Sequence, residues 1–99
     1  MAYRLSRKAE ADVIRIYVTG VRDFGVSHAE HYHAGLERAF AFLSEFPRAA
    51  RERIELARRS RAYPYRSHLI FYRISGPDIF IQRVRHGRED WINDIEQQD

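Results

Sequence analysis

Between Ser67 and Trp91 two apolar, β-branched and aromatic runs flank Ser75-Gly76-Pro77-Asp78. The first reads Ser-His-Leu-Ile-Phe-Tyr-Arg-Ile and the second Ile-Phe-Ile-Gln-Arg-Val-Arg-His. Strand-forming runs around a Gly/Pro/Asp cluster are the composition of a β-hairpin. Pro77 presets φ at a turn position, and Asp78 is a residue whose carboxylate bonds nearby backbone amides. Leu69, Ile70, Phe71 and Tyr72 place apolar groups on both faces of the first strand, so that strand belongs inside a sheet. Arg73, Arg83 and Arg85 fall on alternating positions of the two strands, and His86-Gly87-Arg88 follows directly. The expectation is a buried hairpin that carries a row of arginines to one edge of the domain.

A chain of 99 residues, 44% hydrophobic, predicts a single domain over residues 1–99 with one modest core. Chains this small bury a smaller share of their surface than large ones, so a stable partner or self-association would add useful burial. There is no cysteine, which excludes a disulfide framework and a thiolate metal site and fits a reducing cytoplasm. The start, Met-Ala-Tyr-Arg-Leu-Ser-Arg-Lys, has no apolar signal region, and no apolar run approaches the roughly 20 residues that span a bilayer. The expected location is the cytoplasm, away from membranes.

Net charge is +3, but its distribution says more. From Leu56 to Arg88 the chain carries Arg58, Arg59, Arg61, Arg66, Arg73, Arg83, Arg85 and Arg88 against Asp78 alone, whereas Glu89 to Asp99 is purely acidic. Lys8 is the only lysine. Arginine suits bidentate contacts with carboxylate or phosphate, and the plainer alternative is a solvated basic face.

Upstream, Tyr3-Arg4-Leu5 predicts a short strand and Ser6 an N-cap for a helix from about Arg7 to Asp23, with Ala9, Val13, Ile16 and Tyr17 as its apolar stripe. Phe24-Gly25 ends it. Ser27 and Glu30 have the spacing of a capping box for a second helix, whose stripe is Ala29, Tyr32, Leu36, Ala39, Phe40, Leu43 and Phe46, stopped by Pro47. So short a link makes the two helices an antiparallel hairpin whose apolar face covers the sheet. Arg48 to Leu56 reads as a loop with one helical turn and Arg59 to Tyr65 as a strand, with Pro64 favouring an edge position or the strand's end. Arg88 to Ile95 reads as one or two helical turns, docking Trp91, Ile92 and Ile95. The fold class is α+β: an N-terminal strand, a helical hairpin on a small, largely antiparallel sheet, and a short C-terminal helix.

Tyr63-Pro64-Tyr65-Arg66-Ser67-His68-Leu69-Ile70-Phe71-Tyr72-Arg73, followed by Arg83-Val84-Arg85-His86-Gly87-Arg88-Glu89-Asp90-Trp91, resembles the C-terminal half of ParE-type toxins. The N-terminal half agrees through Tyr-Arg-Leu-Ser, an Ala-Glu-Ala-Asp helix start, an Ala-Glu-x-Tyr helix and Phe-Pro-Arg. The resemblance implies a RelE/ParE-like fold and a toxin of a type II toxin–antitoxin module. It implies a toxin that inhibits DNA gyrase by protein–protein binding, without cofactor or catalytic residue. Its expected partner is a ParD-like antitoxin, a ribbon-helix-helix DNA-binding protein whose C-terminal segment wraps the toxin in a hetero-oligomer.

The candidate contacts for antitoxin or target are Arg61, Arg73, Arg83, Arg85, His86, Arg88, Asp90 and Trp91. Against this stand structural roles: arginines paired within the fold, Gly87 letting the chain leave the sheet, Asp90 pairing with Arg88, and Trp91 capping the core. A RelE-like ribosome-dependent mRNA endoribonuclease is the alternative, with His86, His68 or Tyr72 moving a proton. The resemblance to those ribonucleases implies a Tyr or His near the C-terminus, and residues 88–99 contain neither. A second alternative is a non-toxic, basic nucleic-acid-binding domain. His28, His31 and His33 invite a metal reading, but no carboxylate completes a set, and they read as surface histidines of a helix.

Overall fold

The computed structural model describes residues 2–56 and 59–87. The element order is β1 (Tyr3–Leu5), α1 (Arg7–Phe24), α2 (Val26–Glu45), β2 (Arg61–Tyr65), β3 (His68–Ser75) and β4 (Asp78–His86). The strands form one four-stranded sheet in the order β1-β4-β3-β2. β1 runs parallel to β4, and the other pairs are antiparallel. The C-terminal helix expected from Arg88 onward lies outside the described residues.

The predicted hairpin is the centre of the sheet. Ser75 pairs with Asp78 across a two-residue turn, and Gly76 there takes φ of 61°, the left-handed backbone that such turns require and glycine tolerates. Asp78 does bond an amide, but a distant one: its Oδ1 accepts from the Ala2 N–H at 3.1 Å. Ile79 N–H donates to the Ala2 carbonyl at 3.2 Å. These bonds hook the short β1 onto β4. β3 is flanked on both sides, and its Ile70, Phe71 and Tyr72 are fully buried, as a run of apolar residues demands. β2, with Pro64, takes an edge.

Ser6 caps α1 as expected. Its Oγ accepts from the Ala9 N–H at 2.9 Å, and its hydroxyl donates to the Gln82 carbonyl of β4 at 2.7 Å. The start of α2 differs from the expected capping box. Gly25 alone links the helices, at φ of 93°. Its N–H donates to the Val21 carbonyl and its carbonyl accepts from the Ala29 N–H, so one residue ends α1 and begins α2. Ser27 consequently lies within the first turn and caps nothing.

The helical hairpin covers one face of the sheet. Ala9, Leu36, Ala39, Phe40 and Leu43 pack against Ile70, Tyr72, Ile79, Ile81 and Val84. Burying such a side chain stabilises by about 1.5–3 kcal/mol. Phe46, placed in the α2 stripe by periodicity, sits past the helix end and is 53% exposed. On the other face Leu56 and Phe71 form a smaller cluster with Ala62 and Leu69.

One irregularity sets what β4 presents. Phe71 pairs with Arg83 but Tyr72 pairs with Ile81, so Gln82 is an extra residue on β4, a β-bulge. The core-facing positions Ile79 and Ile81 therefore resume at Val84. Arg83 and Arg85 follow that shifted alternation.

Candidate functional site

The expected row of arginines is divided by the fold. Arg83 is 7% exposed and makes a bidentate ion pair with Asp12 of α1, Nε to Oδ2 at 2.7 Å and Nη2 to Oδ1 at 2.9 Å. Asp12 Oδ2 also accepts the Val84 N–H at 2.9 Å. The cause lies in strand length. β1 ends at Leu5, opposite Ile81, so among the described residues the β4 edge beyond it has no strand partner. The first turns of α1 take that edge, Ser6 at Gln82 and Asp12 at Val84. Arg83 is a fastener between α1 and the sheet, which corrects its assignment to an interface.

Arg61 turns inward as well. It is 9% exposed, with Nη1 donating to the Ala50 carbonyl at 2.6 Å and Nη2 at 3.7 Å from Glu52 Oε2. Glu52 also bridges to Arg61 in the backbone. Arg61 holds the loop after α2 against β2, so it too is corrected from interface to internal tie.

Arg73 and Arg85 remain on the sheet face away from the helices, with Leu69, Phe71 and Phe80. Arg4, Phe80 and Arg73 are in register across three strands. The Arg73 guanidinium carbon lies 4.8 Å from the Phe80 ring centre, and that of Arg4 lies 5.7 Å from it. Two cations thus share one half-buried ring, a geometry in which the ring face attracts charge. Arg73 Nε is buried without a hydrogen-bond partner among the described residues. This cation–aromatic ladder, with Arg4, was not apparent from sequence. The signal was there only as Arg4 beside Tyr3 and Leu5, an outward residue on an alternating strand.

His86 falls on the opposite side, with Val84. It pairs with His68 in the register, and the two rings meet edge to face at 5.5 Å. His68 Nδ1 lies 2.6 Å from the Tyr32 hydroxyl of α2. Tyr32 in turn meets Tyr65 edge-on at 5.2 Å and His28 at 6.3 Å. Burial pushes the Tyr32 hydroxyl above its ordinary pKa. These side chains line a groove of about 950 Å³ between the second half of α1, the first half of α2 and the ends of β3 and β4. His28, His31 and His33, read as surface histidines, line it too, so all five histidines of the chain converge there. The groove's rim also carries Arg15 and Arg66, and its inner wall is apolar, with Val13, Ile16, Leu36 and Val84.

Tyr72 has no access to substrate. It is fully buried, donates to the Pro47 carbonyl at 2.8 Å and accepts from the Ala50 N–H at 3.4 Å. Burial raises its hydroxyl pKa. Arg88, Asp90 and Trp91 lie outside the described residues. Among the described residues no group of three His, Cys, Asp or Glu side chains is arranged to hold a metal, and no helix is long and apolar enough to cross a membrane.

Comparison with known proteins bears on nearly the whole chain. The family described as ParE toxin of the type II toxin–antitoxin system parDE matches residues 3–91. Toxin ParE1 of Caulobacter vibrioides is 33% identical over 84 residues, covering 85% of this chain and 86% of the relative. Toxin ParE3 of the same organism is 30% identical over 83 residues, covering 84% and 83%. A solved chromosomal ParDE toxin–antitoxin system from P. aeruginosa superposes with a TM-score of 0.75 over 87% of this chain and 95% of that one, at 22% identity, which speaks for the fold. The two helices on a four-stranded sheet, the matched span and the two relatives agree: the chain belongs to the ParE toxin family of type II toxin–antitoxin systems.

Proposed function

We propose that the chain inhibits DNA gyrase by binding it, without catalysing a reaction itself, and that a ParD-like antitoxin neutralises it by covering the surface used. The observation that carries the reading is the family match over residues 3–91. A binding toxin needs only to favour one state of its target: moving a two-state equilibrium from 1:99 to 99:1 takes about a 10⁴-fold preference for the favoured state. The sheet face bearing Arg4, Phe80 and Arg73, with Arg85 nearby, is the surface we assign to target contact, and His86, Arg88, Asp90 and Trp91 are carried as further candidate contacts. A solved ParDE system of the same fold supports the antitoxin partner.

The test is a supercoiling assay with purified protein. Molar excess should block supercoiling, the neighbouring antitoxin should restore it, and Arg73→Glu should weaken the block in a protein that still folds. Because Tyr32 and His68 form a hydrogen-bonded pair in a cleft, mRNA integrity is followed in a translation extract in parallel. Normal supercoiling alongside cleaved mRNA would replace this reading with the ribonuclease.

A further inference from the structure

The five histidines come from separate elements, three from α2, one from the start of β3 and one from the end of β4, yet they line one groove. Charged and titratable groups face them from every element around the groove. α1 contributes Arg15, Tyr17 and Asp23, and Asp23 is already bonded by Arg22. α2 contributes His28, His31, Tyr32 and His33, with Glu37 at 3.4 Å from His33. The turn after β2 contributes Arg66, whose guanidinium carbon stands 5.8 Å from the Tyr65 ring centre. β3 and β4 contribute His68 and His86. Among the described residues the carboxylates beside the groove, Asp23, Glu37 and the Arg15-paired Asp12, therefore already have a cationic or ionisable neighbour, while the groove's cationic character grows with every imidazole that takes a proton. The apolar wall sets the second requirement. A strand of phosphates would leave the half-buried Val13 and Ile16 facing water, whereas a peptide with an apolar stripe bordered by carboxylates satisfies both wall and rim.

Resting on the reading that this toxin has an antitoxin partner, we propose that the five-histidine groove receives an acidic, partly apolar segment of that antitoxin, and that binding takes up protons. Carboxylates of the segment favour the charged imidazoles, so binding is linked to proton uptake. The gain is greatest on the acidic side of the range in which imidazoles ordinarily titrate and is lost as pH rises through it. Affinity rises up to tenfold per pH unit for each proton taken up.

The experiment titrates the full-length toxin with the antitoxin encoded beside it, by calorimetry, from about pH 8 to about pH 6, the interval in which imidazoles titrate. Tightening of about tenfold or more is expected. In His68→Gln/His86→Gln it should shrink severalfold as two linked protons are lost. His28→Gln/His31→Gln, at exposed positions of α2, provides a second variant that does not depend on tolerating a change at the sheet and should also flatten the profile. Tight binding that does not vary with pH in the unaltered toxin overturns the groove assignment and leaves the antitoxin reading standing. Absence of binding at every pH overturns both. If neutralising Glu89, Asp90, Asp94, Glu96 and Asp99 of the toxin itself abolishes the pH effect, the acidic occupant is not the antitoxin's segment and the proposal fails.

Discussion

The two ends of the helical hairpin meet the sheet by different means. Where α1 begins and α2 finishes, contact is made by packed side chains, Ala9, Ala39, Phe40 and Leu43 on Ile70, Ile79 and Ile81, with the Asp12–Arg83 pair sealed beside them. Where the helices join at Gly25, contact is made by ring edges and one short hydrogen bond, Tyr32 to His68. Phe24 and Val26 at that tip are 68% and 53% exposed. One hairpin therefore supplies both the core and a groove. The closed end fixes the fold, and the open end is left free to recognise something.

The comparison is broken most forcefully at Asp12. Asp12→Ala leaves the Arg83 guanidinium buried without its bidentate partner and strands the Val84 N–H. Removing one partner of a buried pair costs about 3–5 kcal/mol, which urea denaturation should read as a large drop in midpoint with little change in slope. Replacing Asp12 and Arg83 together with apolar residues should cost much less, because no charge is then left uncompensated. A loss below about 1 kcal/mol for Asp12→Ala would place it with ordinary surface pairs and remove the distinction between the ends.

Next in size is a paired truncation. Leu43→Ala at the closed end removes a fully buried side chain and should cost about 2–5 kcal/mol. Phe24→Ala at the open end removes a larger but exposed side chain and should stay within about 0.5 kcal/mol. Equal losses would mean that the tip is packed in solution.

The residues legible in the sequence are those whose cause is local. The β3–β4 hairpin, the Ser6 cap, the two amphipathic stripes and the edge position of Pro64 all follow from neighbours within a few residues. Arg83 was misread because its partner is 71 positions away. The shortage of acids between Leu56 and Arg88 said nothing about an acid on α1. Two signals were present nonetheless. Asp12 stands beside Val13 in the α1 stripe between Ala9 and Ile16, where a carboxylate is costly unless paired. In β4 the apolar spacing runs Ile79, Ile81, Val84, and that break in a two-residue period is the mark of a bulge. The histidine groove had no local signal, since it depends on β4 passing beside β3 and under α2.

Tyr72→Phe is expected to cost about 1–3 kcal/mol, since it strands the Pro47 carbonyl and the Ala50 N–H of the loop following α2. Proteolysis within residues 46–56 should accelerate more than global unfolding, because those two bonds tie that loop to the central strand.

Tyr32→Phe should cost less than Tyr72→Phe and tests the open end most directly. It removes the bond to His68 but keeps the ring that meets Tyr65, so a loss of about 0.5–1.5 kcal/mol is expected near neutral pH. The loss should depend on pH. Burial holds the Tyr32 hydroxyl above its ordinary pKa, so the folded state favours the protonated phenol. That contribution is fully present below the unfolded-state value and disappears as pH rises through the folded-state value. Wild type therefore loses stability on the alkaline side through a group the variant lacks, and the gap between the two narrows there. A gap that stays constant into alkali would show that the hydroxyl is solvated in the folded protein. The contact between α2 and the start of β3 would then rest on ring edges alone, and the open end would be looser still than the comparison with the closed end requires.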